Sequence, residues 1–280
     1  MNNEQIQEIV RKVTLEVMER SDGIISQSAC TEYTPASMAS FIDHTLLKKD
    51  ATIEEVRKIC DEAKKHKFAG VCVNPNYIRF VAGQLEGSPV IPCCVIAFPF
   101  GSQTPEAKRA EAADAVLNGA KEIDMVINLG AVKCKDWLLV KRDIQAVVDA
   151  AKGKAGVKVI LETGLLTDEE KVKSCAICKL AGASFVKTCT GFADGKATEE
   201  DIKLMRATVG PDMGVKASGG IRSYETALKM VKAGANRLGA TAGIAIVSGP
   251  TESSTGSCSG CGACSSNCPT GNVSISKLSY

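Results

Sequence analysis

The chain alternates short apolar runs with longer stretches of helical periodicity. The apolar runs contain many β-branched residues and are bounded by glycine or polar residues, which is typical of buried strands. We therefore predict eight strands, at Ser40–Asp43, Ala69–Asn74, Val90–Ala97, Glu122–Asn128, Val157–Glu162, Ser184–Thr188, Gly214–Ala217 and Asn236–Gly239.

The stretches between these runs carry apolar residues three and four positions apart, as an amphipathic helix does. Several begin at threonine followed by acidic residues, and several end at glycine, which are common start and stop signals of helices. The predicted helices are Thr52–His66, Thr104–Asn118, Trp137–Lys152, Thr167–Leu180, Thr198–Val209 and Ser223–Ala233.

Eight strands with intervening helices over residues 39–248 predict an α/β fold, a (β/α)8 TIM barrel. A doubly wound open sheet is the alternative. We favour the barrel because polar side chains lie at the carboxyl ends of many predicted strands, where a barrel mouth would gather them into one site. These residues are Asp43, His44, Thr45, Asp124, Glu162, Thr163, Lys187, Thr188 and Lys216.

Two segments flank the predicted barrel. In residues 1–20, an apolar stripe predicts an amphipathic helix, and residues 21–38 have the irregular pattern of a linker. Residues 249–280 are rich in glycine and serine, which predicts a flexible tail. Its cysteines have the spacing of a 4Fe–4S ligand set, with zinc binding, or reduced or disulfide-forming thiols, as alternatives. They are Cys258, Cys261, Cys264 and Cys268.

Composition limits the function classes. The chain has 280 residues, of which 45% are hydrophobic, and a net charge of +2 with acidic and basic residues interspersed. This balance argues against a nucleic-acid-binding surface. The sequence has no apolar run near the roughly 20 residues of a membrane span and no apolar signal-peptide core at its start. We therefore expect a cytoplasmic protein with reduced thiols.

Two lysines at the ends of predicted strands give the clearest chemical signal. Lys187 ends the apolar run that starts at Ser184, and Lys216 ends a similar run that starts at Gly214. On neighbouring strands they would lie about 5 Å apart, and each ammonium group would disfavour the charged form of the other. A lysine with a lowered pKa can form a Schiff base with a carbonyl. The alternative is two lysines that extend from a barrel mouth into water.

Glycine-rich turns follow the last predicted strands, at Ser218–Arg222 and Gly239–Gly243, and Gly191 follows the strand of Lys187. Glycine lets backbone N–H groups approach an anion, and (β/α)8 barrels often bind phosphate after strands seven and eight. Together with the lysines, the turns indicate a phosphorylated carbonyl substrate.

Six stretches spread over the predicted barrel carry a resemblance to a known family. They are Ile42–Leu47, Gly70–Pro75, Glu122–Asn128, Phe185–Thr188, Val215–Arg222 and Arg237–Gly239. In their sequence and order the chain resembles the deoxyribose-phosphate aldolases, which are class I aldolases of (β/α)8 fold. The resemblance implies reversible cleavage of 2-deoxy-D-ribose 5-phosphate to acetaldehyde and D-glyceraldehyde 3-phosphate, in deoxyribonucleotide catabolism.

The resemblance also implies residue roles. Lys187 would form the Schiff base, Lys216 would lower the pKa of Lys187, and Asp124 would relay protons or pair with one lysine. No cofactor is needed for this chemistry, because the imine itself accepts electrons. Substrate or phosphate binding is assigned to Thr188, Gly191, Ser218, Gly219, Gly220, Arg222, Gly239 and Thr241, and an accessory role to Asp43, Thr45, Cys72 and Tyr280.

The N-terminal helix resembles the encapsulation peptides of enzymes packed in bacterial microcompartments. This resemblance implies that residues 1–20 bind a shell protein and that the enzyme is located in the microcompartment lumen. The other interpretation is that the helix packs on the barrel of its own chain or mediates dimerisation. We also expect a homodimer or higher homo-oligomer. Two other functions stay open: a Schiff-base aldolase for another phosphorylated sugar, and a redox or electron-transfer protein that uses the cysteine tail.

Overall fold

A closed barrel of eight parallel strands forms the centre of the molecule. The computed structural model describes residues 4, 5, 8, 11–13, 15, 17 and 33–249. The strands are β1 (Ile42–Leu46), β2 (Gly70–Val73), β3 (Ile91–Ile96), β4 (Glu122–Val126), β5 (Gly156–Ile160), β6 (Phe185–Lys187), β7 (Gly214–Ser218) and β8 (Arg237–Ala240). They pair in chain order and β8 pairs with β1, which confirms the predicted (β/α)8 barrel.

Helices connect the strands. They are α1 (Ile53–His66), α2 (Ile78–Gln84), α3 (Pro105–Leu117), α4 (Leu129–Lys133), α5 (Trp137–Ala151), α6 (Asp168–Leu180), α7 (Glu199–Val209), α8 (Tyr224–Lys232) and α9 (Gly243–Ser248). Thr52 and Thr167 each form a capping box with a glutamate three residues later, which fixes the starts of α1 and α6. The sequence pattern does not predict α2, α4 and α9, because each is too short to show a clear period.

The first strand begins later than predicted. The prediction was Ser40–Asp43, whereas β1 is Ile42–Leu46 and Ala36–Phe41 forms a 3-10 helix. Reciprocal hydrogen bonds start this helix: the backbone N–H of Thr34 donates to Oγ of Ser37 (2.9 Å), and that of Ser37 donates to Oγ1 of Thr34 (3.2 Å). These local side-chain bonds favour a turn over an extended chain.

The sheet separates two apolar regions. The larger region contains side chains of strands, such as Val71 and Cys94, and side chains of helices, such as Val56. The smaller region has only four buried residues, Leu47, Cys72, Cys93 and Val95. Because successive strand residues point to opposite faces, Cys93 faces the barrel interior while its neighbour Cys94 faces the helices.

The described part of residues 1–20 is helical and contacts the barrel. Val17 is 7% exposed, Val13 packs against the larger apolar region, and Leu15 is 49% exposed. Part of the apolar stripe is therefore covered in this structure. Within the described residues, none of the helices has the length and apolar character needed to cross a membrane.

Candidate active site

The carboxylate of Asp124 on β4 joins lysines of three strands inside the barrel. Its Oδ2 accepts hydrogen bonds from Nζ of Lys187 (2.9 Å) and Nζ of Lys216 (2.8 Å), and its Oδ1 accepts one from Nζ of Lys158 (2.9 Å). Lys187 and Lys216 are direct partners in the register of β6 and β7, so the two lysines do lie on neighbouring strands. They share a single carboxylate oxygen.

A second group of charges extends this network across the barrel. Lys216 also donates to Oδ2 of Asp43 (2.5 Å), and Lys158 lies 2.6 Å from Oε2 of Glu122. Nη1 of Arg237 donates both to Asp43 and to Glu122, at 2.8 Å each. Every cation of the network therefore contacts a carboxylate, which compensates for the loss of water around these buried charges.

The paired charges shift the pKa values of the group. Burial opposes ionisation of Asp124, but attraction to Lys158, Lys187 and Lys216 outweighs burial and holds the pKa of Asp124 well below its usual range. For Asp43 the same competition gives a pKa of about 2. Burial opposes the charge of Lys216, yet Asp124 and Asp43 raise the pKa of Lys216. At neutral pH, Lys216 is therefore a fixed ammonium group beside Lys187.

Three of the predicted residues lie deeper in the barrel than the sequence pattern indicates. Asp43, Asp124 and Lys216 were expected at strand ends, whereas each is two or three residues short of its strand's end. Lys187, by contrast, is the last residue of its strand. Inward positions all along a barrel strand point to the axis, so opposite charges can meet there without reaching the mouth.

Sequence reasoning missed Lys158, Glu122, Arg237 and Cys93. Lys158 stands within the apolar run Val157–Ile160 of β5 and is fully buried. A lysine in an apolar run is the same signal that points to Lys187, so the sequence does contain the clue. Lys158 was overlooked because it stands in the middle of its run rather than at the end.

A cavity of about 330 Å³ lies beside the loops that follow β6 and β7. Four predicted phosphate-binding residues line it, together with Lys196, which the sequence reading missed; the four are Gly191, Gly219, Gly220 and Arg222. The backbone N–H of Ala197 donates to the carbonyl of Gly219 (3.1 Å), which holds Lys196 over the glycine turn. Gly219 and Gly220 have backbone φ angles of +98° and +78°, which residues other than glycine rarely adopt. Lys196 and Arg222 outnumber the carboxylate of Asp194 in this lining, and together with the glycine turn they suit an anionic group.

Four other predicted binding residues do not line this cavity. Oγ1 of Thr188 donates to the carbonyl of Ser218 (2.8 Å) and accepts from its N–H (2.9 Å), so this pair joins β6 to β7. Gly239 sits against Ser218, where an added Cβ would be 2.2 Å from Oγ. Thr241 is exposed outside the cavity.

The predicted accessory residues are divided between the network and the undescribed tail. Asp43 belongs to the charge network, and Oγ1 of Thr45 donates to the Asp43 carbonyl (2.8 Å). Cys72 is fully buried, and a hydrogen bond from Cys93 lowers its pKa. Tyr280 and the cysteines of the predicted cluster lie outside the described residues; these are Cys258, Cys261, Cys264 and Cys268.

Comparison with known proteins agrees with this architecture. The pattern of the DeoC/LacD family of aldolases matches residues 37–265. The chain is 62% identical over 207 residues to a deoxyribose-phosphate aldolase of Clostridium tetani, covering 74% of this chain and 96% of the relative. It is 61% identical over 210 residues to a deoxyribose-phosphate aldolase of Enterococcus faecalis, and this match covers 75% of this chain and 96% of the relative. The tetrameric deoxyribose phosphate aldolase from Aeropyrum pernix superposes with a TM-score of 0.72 at 32% identity, covering 85% of this chain and 96% of that chain.

A barrel with lysines gathered around one interior carboxylate is suited to carbonyl chemistry through an amine, as in aldolases that form a Schiff base. On the match over most of its length, the chain belongs to the DeoC/LacD family of aldolases. The resemblance noted from the sequence motifs is thereby confirmed.

Proposed function

We propose that this chain is a deoxyribose-phosphate aldolase, which reversibly cleaves 2-deoxy-D-ribose 5-phosphate to acetaldehyde and D-glyceraldehyde 3-phosphate. The identity to relatives of that name, over nearly their whole length, supports the activity. The observation that carries the mechanism is the shared oxygen of Asp124, which holds Lys187 and Lys216 together inside the barrel.

Lys187 is the better candidate for the imine than Lys216. Among the described residues Lys187 pairs with Asp124 alone, and its side chain is 4% exposed. Lys216 is fully buried and pairs with two carboxylates, so its amine is held in the charged form. Lys187, which contacts a single carboxylate, is therefore the amine that we assign to attack on the carbonyl.

The reaction then follows from lysine chemistry. The neutral amine of Lys187 adds to C1 of the open-chain sugar, and the resulting carbinolamine takes up a proton and loses water to give a protonated imine. Removal of the proton on the C3 hydroxyl breaks the C2–C3 bond, and the bonding electrons move into the imine to give an enamine. D-Glyceraldehyde 3-phosphate leaves, the enamine gains a proton at C2, and hydrolysis releases acetaldehyde. We assign the movement of these protons to Asp124, which contacts Lys187 and would act directly or through a water molecule.

The phosphate of the substrate is proposed to lie in the cavity beside Gly219 and Gly220. Lys196 and Arg222 supply positive charge there, and Gly191 lines the same space. Backbone N–H groups of the glycine turn can approach the phosphate oxygens because no Cβ blocks them. The remaining predicted binding residues, Thr188, Ser218, Gly239 and Thr241, would then act by shaping the strand ends.

Borohydride trapping tests the mechanism. Wild type and Lys187→Ala are incubated with acetaldehyde and borohydride, and the reduced adduct is located by peptide mass mapping. We expect the adduct on Lys187 in wild type and its loss in the variant. An adduct confined to Lys216 would contradict the assignment. Assay of other phosphorylated sugars and other aldehydes would separate this activity from that of a Schiff-base aldolase with another substrate.

The N-terminal segment is proposed to bind a microcompartment shell protein, with the enzyme located in the microcompartment lumen or in the cytoplasm. Its apolar stripe supports this, but Val17 already lies against the barrel, so shell binding would compete with that contact. Shell association should be lost when residues 1–20 are deleted. It should also fall for Val17→Glu more than for Leu15→Glu, since Leu15 is 49% exposed and lies off the stripe. Equal association of all these proteins would contradict the proposal.

Two further expectations accompany this function. The cysteine spacing of the tail supports a 4Fe–4S cluster, which would serve structure or regulation because the aldol reaction transfers no net electrons. Anaerobic purification with iron and sulfide analysis tests it, and iron-free colourless protein would contradict it. A homodimer or larger homo-oligomer is proposed, to be tested by light scattering.

A further inference from the structure

Two cysteines and the central carboxylate converge inside the barrel. Sγ of Cys72, Sγ of Cys93 and a carboxylate oxygen of Asp124 all lie within 4.8 Å of one another, and all three residues are fully buried. We propose that these residues form a binding site for a thiophilic divalent cation, such as Zn²⁺ or Cd²⁺, and that metal binding there inhibits the aldolase.

The spacing is close to that of a tetrahedral site. With Zn–S bonds of about 2.3 Å and Zn–O bonds of about 2.0 Å, ligand atoms are separated by about 3.8 Å (sulfur to sulfur) and about 3.5 Å (sulfur to oxygen). Sγ of Cys93 lies 3.3 Å from Oδ1 of Asp124. Cys72 and Cys93 are direct register partners on β2 and β3, so both thiols project from the same level of the barrel. Side-chain adjustments of about 1 Å would complete three protein ligands and leave the fourth position for water.

The charge balance permits a cation despite the nearby lysines. Two thiols release their protons when they bind the metal, so a charge of +2 enters and two protons leave. The cluster of Cys72, Cys93 and Asp124 has a charge of −1 before binding and −1 afterwards. Lys158, whose Nζ is 3.4 Å from Sγ of Cys93, therefore still faces a cluster with a net negative charge.

The metal would also leave the surrounding ion pairs largely in place. Binding through Oδ1 of Asp124 displaces Lys158 from that oxygen, but Lys158 retains Glu122 at 2.6 Å. Oδ2 keeps its bonds to Lys187 and Lys216. Two sulfur ligands select Zn²⁺ and Cd²⁺ over Mg²⁺ and Ca²⁺, which prefer sites made of oxygen ligands.

Inhibition follows from the role of Asp124. A carboxylate that donates an electron pair to a metal is a weaker base and is held in place, so it no longer moves protons for the imine. This part of the inference rests on the proposed function, whereas the binding of the metal does not. Substrate bound as an imine occupies the same interior, so it should slow entry of the metal.

The test uses the full chain with all four tail cysteines changed to serine, which removes a competing thiolate site. Cys93→Ala in this background removes one ligand. Cys94→Ala is the matched control, because it removes a buried thiol from the adjacent position on the other face of β3. Cd²⁺ binding is followed by the ultraviolet absorption of the cadmium–thiolate bond, and aldolase rates are measured in Zn²⁺, Cd²⁺ or Mg²⁺ at fixed free concentrations.

We expect Zn²⁺ and Cd²⁺, but not Mg²⁺, to inhibit the parent and Cys94→Ala proteins, and a chelator to restore activity. Cys93→Ala should need at least tenfold more Cd²⁺ for half-inhibition and should show a reduced cadmium–thiolate band. Equal absorption and equal inhibition of Cys93→Ala and Cys94→Ala would overturn the site. Equal inhibition by Mg²⁺ would also overturn it. The absorption comparison holds even in a protein without aldolase activity, so failure of the proposed function is distinguished from failure of the metal site.

Discussion

Replacement of Lys158 by methionine tests whether the interior charges act as one network. Lys158 contacts Asp124 at 2.9 Å and Glu122 at 2.6 Å and is fully buried. Removing one partner of a buried ion pair costs about 3–5 kcal/mol, because the other partner is left without compensation. At roughly 2–4 °C per kcal/mol for a domain of this size, the melting temperature should fall by about 6–20 °C.

The same change should shift the pH profile of the enzyme. Lys158 is the strongest of the charges that lower the pKa of Asp124, so its removal raises that pKa. The acid limb of kcat/KM, which reports groups of the free enzyme, should therefore move to higher pH. The measurements are thermal unfolding followed by circular dichroism and kcat/KM from pH 4 to 8.

Lys108→Met is the control for a buried lysine outside the barrel interior. Lys108 is fully buried, lies 2.6 Å from Asp143 and donates to the carbonyl of Val126 (2.9 Å). Its loss should destabilise the protein without moving the acid limb, since it does not touch Asp124. Identical pH profiles for the Lys108 and Lys158 variants would refute the idea that Lys158 sets the ionisation of Asp124.

Asp43→Asn should remove part of the acid sensitivity of stability. The folded pKa of Asp43, about 2, lies below its ordinary value of 3.8, so the ionised carboxylate stabilises the fold above pH 4, and this stabilisation is lost as the pH falls towards 2. The lost stabilisation is worth about 2 kcal/mol, and urea unfolding at several pH values will detect it. Lys196→Gln should raise KM for the phosphorylated sugar about tenfold, which corresponds to about 1.4 kcal/mol. The same variant should leave kcat/KM for unphosphorylated 2-deoxy-D-ribose unchanged. Equal losses on both sugars would contradict the binding of phosphate by Lys196. Gly239→Ala should lower kcat, because the added Cβ would be 2.2 Å from Oγ of Ser218 and 3.1 Å from Cε of Lys216. Adding Ser218→Ala should recover part of the rate. A double variant without recovery would indicate that the added Cβ displaces Lys216 instead.

The barrel and its two neighbouring lysines could be predicted from the sequence because both depend on short-range patterns. Lys187 and Lys216 interrupt apolar runs at their ends, where a charge is conspicuous. The depth of Asp43 and Asp124 could not be predicted, since it depends on strand register and on how far each strand continues. Lys196 stands in a loop without periodicity, and only the bond between Ala197 and Gly219 places it over the glycine turn.

The division of the buried side chains by the sheet has a consequence for engineering and for evolution. Outside the strands the buried contacts are mostly apolar, whereas inside the barrel charged groups surround the small cluster of Leu47, Cys72, Cys93 and Val95. Substitutions on the helix-facing side can therefore change thermostability while the interior charges keep their positions. Substitutions inside change both at once, so the usual conflict between stability and activity should be confined to the interior of the barrel.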